Sequence, residues 1–470
     1  MASGNNQENQ QMGSFFVRRV EIVRSKVPNP EMILRMSNLD RQCPSHMYLL
    51  FFYERNEIPP SRMFDDLRSS LEETLSVWYP AAGRLTIVGG ESAGKKLKPK
   101  FDLLCNNEGA VLVESVTTVK IPELGNLSRN NEFFEKLVSR PKNHSNISEM
   151  PLLVAQVTHF ECGGFSIGIG TSHSLFDGPA ALDFLRSWSA NSTSTKGSRD
   201  LQNRNPVFER GRLLISTFDD RTSSPLRNTT NTKANGIEHM HQLIKQAAID
   251  HAAAKGCSNH SSGHDKYSLQ TFRISKAQLE SLRKRFDENS TWSSFEVVSA
   301  HLWKARTRAL GIKKQTIVCL QFAVDTRTRV VPLLPKSFAG NAYVLASVAL
   351  TAGQLEEASY EDITRKIRKA KESITCDYVE AYMNALERAE AAVLPPLEEL
   401  TIISDWTRIP FHEVEFLGKR VDYVSPLVAP VPYVAYLMRS PKDDGAIDVR
   451  MGLRPGTVRD FVGCSGFDAE

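Results

Sequence analysis

Six consecutive residues, His173-Ser174-Leu175-Phe176-Asp177-Gly178, carry the strongest chemical signal in this sequence. An imidazole titrates near neutrality, so it can take a proton from an attacking alcohol or amine and return it later. The carboxylate four positions on can cap a helix or pair with an arginine, and that structural reading of Asp177 is preferred to a direct dyad. The catalytic candidates are His173 and Asp177. No metal is expected, because no third ligand of suitable spacing stands near them. The Gly-x-Ser-x-Gly runs at Gly90 to Gly94 and Gly164 to Gly168 do not stand between a strand and a helix, so neither reads as a serine-nucleophile elbow.

These residues need rigid support. Phe165 to Ser172 reads as a strand, and Pro179 to Trp188 reads as a helix opened by Gly178-Pro179. A histidine just past a strand end combines a fixed backbone with an open loop.

The surrounding pattern alternates strands and helices, an α/β chain. Strands are predicted at Phe15 to Val23, His46 to Glu54, Arg84 to Val88 with a set running on from Leu97 to Val113, Leu152 to Phe160, Tyr267 to Ile274 and Ile317 to Val324, and again at 342–350, 422–427, 433–439 and 446–453. Helices are predicted at Pro60 to Tyr79, Ser275 to Phe286, Ser294 to Leu310 and, as one helix or a pair, Tyr360 to Leu386. Residues 189–236 are rich in Ser, Thr, Asn, Arg and Pro and read as a linker. Residues 237–264 are polar and read as partly helical. The division is 1–188, an N-terminal domain carrying the histidine; 189–236, a crossover; and 237–470, a C-terminal domain.

The run QVTHFECGGFSIGIGTSHSLFDGPAALDFLRSW resembles the plant BAHD acyl-CoA-dependent acyltransferases, whose signature is His-x-x-x-Asp-Gly after a Gly-Gly strand. Further segments match in family order. They are Ser37-Asn38-Leu39-Asp40, SVWYPAAGRL (Ser76 to Leu85), SSFEVVSAHLWKAR (Ser293 to Arg306), DTRTRVVPLLPKSFAGN (Asp325 to Asn341) and SDWTRIPFHEVEFLGK (Ser404 to Lys419). The resemblance implies two chloramphenicol-acetyltransferase-like domains of mixed sheets with flanking helices, joined by a long crossover. It implies acyl transfer from acyl-CoA to a hydroxyl or amine in a ternary complex, with His173 as general base and no permanently bound cofactor. It also implies an arginine partner for Asp177, either Arg327 or Arg329, which with Gly178 would shape the loop.

Coenzyme A needs donors for its phosphates and a tunnel for pantetheine. Ser293, Ser294 and Lys304 lie in the segment that resembles the family's CoA-side element, although a serine at a helix start is equally a cap. Ser404 and Trp406 resemble a Thr/Ser-x-Trp pair lining the donor channel. His46, Leu49 and Phe51 match acceptor-facing positions, and Leu49 stands where phenol-binding relatives carry a small hydroxyl residue. That points to an apolar acceptor such as a sterol or aliphatic alcohol.

One motif departs from the family. Where Asp-Phe-Gly-Trp-Gly is expected, this chain has Glu415-Phe416-Leu417-Gly418-Lys419. With Leu417 in place of glycine, a positive φ is not expected there. The altered segment favours an alternative function, a non-catalytic eceriferum-like relative that modulates very-long-chain lipid elongation through protein partners. A third reading keeps the pocket as a small-molecule binder without turnover.

The net charge of +4 over 470 residues gives no case for nucleic acid. No run approaches the roughly 20 apolar residues of a membrane helix, and the N-terminal residues lack the apolar core of a signal peptide. The seven scattered Cys, with no CxxC pair, fit reduced thiols. A cytoplasmic monomer follows as the expectation, with acyl-CoA and a small-molecule acceptor as its partners.

Overall fold

The computed structural model describes residues 13–42, 46–54, 57–88, 91–92, 95–96, 100–129, 131–141, 146–193, 205–214, 267–286, 291–388, 398–427, 433–440 and 445–469. Two mixed sheets organise them. The first has six strands in the spatial order Phe15–Val23, Ala110–Thr117, Leu153–Phe160, Phe165–Ser172, His46–Tyr53 and Tyr423–Leu427. The second has seven, in the order Tyr343–Thr351, Ile317–Asp325, Leu400–Asp405, Val434–Arg439, Ile447–Leu453, Ser268–Ile274 and Asp468–Ala469. This is the mixed α/β architecture implied by the sequence.

Each sheet buries one side against helices. Helices Pro60–Val77 and Gly178–Asn191 cover the first, and their Leu67, Leu71, Phe184 and Trp188 are fully buried. Helix Ser294–Ala309 is buried along almost its whole length behind the second sheet, with Trp303 at its centre. Its hydrophobic positions run all round, as expected for a helix enclosed on every side. The charged stretch 360–386 resolves into two helices, Tyr360–Glu372 and Cys376–Arg388.

Elements run across the divisions suggested by the sequence. Helix Gly178–Asn191 overruns the 188/189 boundary. Of the residues assigned to the crossover, 205–214 pack inward: Phe208 and Leu213 are buried, and Val207 bridges to Phe338. Residues 194–204 and 215–266, and with them the proposed 237–264 helix, lie outside the described residues. Strand Tyr423–Leu427, from the C-terminal part, forms the edge of the first sheet by pairing antiparallel with His46–Tyr53. Arg450 fastens this exchange. Fully buried in the second sheet, it donates to Ser425 Oγ at 2.6 Å and to the Pro426 carbonyl at 2.8 Å. A buried guanidinium is tolerable only when its donors are met in this way.

Strand Leu400–Asp405 and helix Pro455–Ser465 are among the elements that escaped the sequence reading. Strand Leu400–Asp405 runs parallel to both neighbours, and such strands lack the alternation that marks half-buried ones. Helix Pro455–Ser465 follows directly on a strand, with proline at its first position.

Candidate active site

Strand Phe165–Ser172 ends one residue before His173, and its last residue lies opposite His46. A turn closed by Leu175 N donating to the Ser172 carbonyl then leads to Asp177. Asp177 caps the next helix, accepting from Ala180 N at 3.1 Å. It also takes both ends of the Arg327 guanidinium, at 2.8 and 2.9 Å, and the Ala342 backbone N–H at 3.0 Å. The carboxylate is 4 % exposed and fully engaged, so it holds the loop and does not face the imidazole as a partner. Burial works against the charge on Arg327, but the carboxylates of Asp177 and Asp325 outweigh it and hold the guanidinium above its ordinary range. Of the two arginines left open, Arg327 makes the pair. Arg329 instead donates to the Ile374 carbonyl and lines the cavity below.

His173 opens onto a cavity of about 910 Å³. The volume falls within the range of small-molecule sites. Its wall is mostly apolar, with Met47, Leu49, Ile169, Phe322, Leu345 and Trp406 contributing. Polar groups also line it, among them Thr171, Thr328, Tyr343 and the carboxylates of Asp325 and Asp405. Ser404 stands at the end of strand Leu400–Asp405 and accepts from Trp406 Nε1 at 2.9 Å. Cations line the wall at Arg329, Lys371 and Arg408. Gly178 lines it too, and a Cβ there would lie 2.5 Å from Ile409 Cδ1, so the absent side chain lets Ile409 close over the helix start.

The imidazole is gripped from behind. Asn341 Oδ1 lies 3.1 Å from His173 Nδ1, and Asn341 Nδ2 donates to the His173 carbonyl at 2.7 Å. Asp40 accepts from both Asn341 nitrogens, at 2.9 and 3.2 Å, and from Arg210 Nε at 3.3 Å. None of Asn341, Asp40 and Arg210 stood out as site residues. Asn341 and Asp40 sit inside segments matched for family resemblance, but Arg210 lies in a stretch whose composition reads as linker.

Several candidates lie elsewhere. Side chains alternate along a strand, so His46 cannot share a face with Leu49. Its Nε2 lies 2.9 Å from the Pro151 carbonyl, and burial lowers its pKa despite that carbonyl. Phe51 shares the Leu49 face but sits deeper, fully buried with its ring edge-on to Phe416. Ser293 is a helix cap, closed by Glu296 in both directions. Ser294 Oγ accepts from Arg283. Lys304 donates to the Ala358 carbonyl at 2.6 Å and borders a separate pocket with Arg308 and Lys314. Only Phe295 of that helix start reaches the main cavity.

The altered motif has a structural role. Phe416 packs edge-on against Trp188 at 4.9 Å, in the core behind the first sheet. Leu417 adopts φ 55°, ψ 29°, contrary to expectation. Its side chain is 8 % exposed within the same core, and its N–H donates to Ser192 Oγ at 2.9 Å. Packing and that hydrogen bond offset a left-handed conformation costing about 1–2 kcal/mol for a non-glycine residue.

Among the described residues no group of His, Cys, Asp and Glu is arranged to hold a metal ion. None of the described helices is long and apolar enough to cross a membrane.

The model of a family described as the transferase family matches residues 16–464. The chain is 47% identical over 441 residues to brassinosteroid-related acyltransferase 1 of Arabidopsis thaliana, covering 91% of this chain and 92% of that protein. It is 29% identical to the fatty alcohol:caffeoyl-CoA acyltransferase of the same plant, over 92% of this chain and 94% of the other. Among solved structures, vinorine synthase superposes with a TM-score of 0.71 at 19% identity, covering 97% of this chain and 99% of its own. TRI101 of F. sporotrichioides, complexed with coenzyme A and T-2, gives 0.64 at 16% identity, over 93% and 99%.

Proposed function

The chain belongs to the transferase family, as a BAHD-type acyl-CoA-dependent acyltransferase, and on that premise we propose that His173 is its general base, acting on a hydroxylated, largely apolar acceptor. The observation that carries this reading is the position of His173 on the wall of a large apolar cavity, with its loop fixed by Asp177 and Arg327.

The acceptor hydroxyl gives its proton to the imidazole as its oxygen attacks the thioester carbonyl. The tetrahedral intermediate then expels the CoA thiolate, which recovers the proton from the imidazolium. No acyl-enzyme forms, because both substrates meet at one histidine. Ser404 accepts from Trp406, which leaves its own O–H to donate toward the developing oxyanion. The cations on the wall, Arg329, Lys371 and Arg408, suit the donor's phosphates better than the capped Ser293, the occupied Ser294 or Lys304.

The names of the two relatives point to a steroid and to a fatty alcohol, and Leu49 and Met47 on the wall support a hydrophobic acceptor of that kind. Phe416 and Leu417 of the altered segment keep their place in the core behind the sheet, and the exposed Glu415, Gly418 and Lys419 give no ground for a non-catalytic role. The protein is proposed to act as a cytoplasmic monomer without a resident cofactor.

Recombinant protein incubated with a panel of acyl-CoA donors and hydroxylated steroids or fatty alcohols should release free CoA thiol. Release should require both substrates and vanish in His173→Ala. Release confined to polar phenolic acceptors would overturn the acceptor assignment, and unchanged turnover in His173→Ala would overturn the base.

A further inference from the structure

We propose that Asn341 is a positioning residue that fixes the tautomer of His173, and that Asp40 and Arg210 orient Asn341 for this task. The inference rests on the reading of His173 as the base.

The argument starts at Asp40, which is completely buried. It receives Ser37 N at 2.9 Å, Ser37 Oγ at 2.8 Å and Arg210 Nε at 3.3 Å on one oxygen, and both Asn341 nitrogens on the other. In each of these contacts Asp40 accepts. The Arg210 side chain is itself 1 % exposed and anchored a second time on the Phe208 carbonyl. The anchor of the chain is therefore a dry ion pair with its hydrogen bonds in place, a setting in which a polar network becomes rigid.

The amide of Asn341 could in principle be turned end for end. Here its surroundings decide. One end faces the Asp40 carboxylate and the His173 carbonyl, two groups that only accept. That end must be the NH₂. The oxygen then faces His173 Nδ1 at 3.1 Å, and an amide oxygen cannot donate. Nδ1 must carry the proton. In the neutral ring the lone pair is left on Nε2, the nitrogen on the side away from Asn341.

Asp177 does not supply this control. Both its oxygens are taken by Arg327, with Ala180 N on one and Ala342 N on the other. The histidine and the aspartate of the signature are thus governed by adjacent backbone positions, Asn341 and Ala342. The first sets the proton on the imidazole, and the second helps hold the loop.

The test reads the tautomer directly. Protein labelled with ¹⁵N-histidine is examined by NMR at mildly alkaline pH, with the His173 signals identified by their loss in His173→Ala. The expected pattern for the unmodified protein is Nδ1–H with an unprotonated Nε2. Asn341→Leu keeps the branching and the number of side-chain heavy atoms and removes both contacts to residue 173. It should give a mixed or inverted tautomer, kcat lower by about 10²-fold, the low end of what a placed base contributes, and an unchanged KM for acyl-CoA. A purely structural role would lower kcat only in step with the folded fraction and leave the tautomer alone. The unmodified protein decides even where Asn341→Leu fails to fold: a protonated Nε2 there overturns the inference. With His173→Ala inactive, that result leaves the base assignment standing. Full turnover in His173→Ala would instead remove the base assignment beneath it.

Discussion

Arg327 grips Asp177 with two guanidinium nitrogens across 150 residues of sequence, and the carboxylate is nearly sealed from solvent. Removing one partner strands the other charge. Asp177→Asn should cost about 3–5 kcal/mol of stability and lower turnover through disorder of the 173–178 loop. Thermal melting and thiol release should fall together. A variant with unchanged melting but no activity would place Asp177 in the chemistry itself.

His173→Gln keeps a polar side chain of similar reach but cannot act as a base. Turnover should drop by roughly 10²–10⁴-fold with melting unchanged. Saturating CoA should still raise the melting temperature, because the cations on the cavity wall are untouched.

Leu49 faces the cavity with Met47. Leu49→Ala removes apolar contact from one side of the site. An acceptor touching that wall should lose about 10-fold or more in kcat/KM, since even one methylene in an apolar pocket is worth about 1–3 kcal/mol. The KM for acyl-CoA should stay constant. An equal loss for both substrates would show that the site has collapsed.

Stability should fall early on acidification. Burial lowers the pKa of His46 and of His301, with the carbonyls of Pro151 and Ser465 opposing. Each is favoured neutral when folded, while the unfolded chain takes the proton near 6.5, so the unfolded state binds more protons below that value. Their contribution is complete above about pH 6.5 and is lost as pH falls from there through the folded pKa, by up to about 1.4 kcal/mol per unit for each group. Melting temperatures between about pH 7.5 and 5.5 should show this slope, and His301→Gln should flatten it.

Leu417→Gly separates strain from packing. Glycine relieves about 1–2 kcal/mol of left-handed strain but loses about 1.5–3 kcal/mol of buried side chain and adds freedom to the unfolded chain. Melting should fall modestly with kcat intact. A higher melting temperature would mean that the strain outweighs the packing.

Much of this was legible because local pattern and chemistry agree. His173, Asp177 and Gly178 sit at a strand-to-helix junction that the pattern of strand and helix locates, while Leu49, Ser404 and Trp406, which the family resemblance implied, reach the cavity. His46 failed on strand parity, a rule that could have been applied to the sequence. Phe51 failed on depth, which alternation does not report. Ser293 illustrates a different limit: one residue type serves both anion binding and helix capping, and only the Glu296 contacts decide. Asn341 lies 168 residues from the histidine it holds, and such a pairing has no local signature. Leu417 misled because the expectation weighed conformational preference without the core around the side chain.

Strand Tyr423–Leu427, fastened by Arg450, has a consequence for how the protein is made. The ribosome builds the other five strands of the first sheet by residue 172, yet the strand that closes its edge emerges some 250 residues later. Throughout that interval the His46–Tyr53 edge presents open backbone donors and acceptors, the kind of edge that recruits stray strands. The N-terminal half is thus a client awaiting its own C-terminus. Expressed alone as residues 1–193 it should aggregate, and a nascent chain stalled before Tyr423 should be held by chaperones until synthesis resumes.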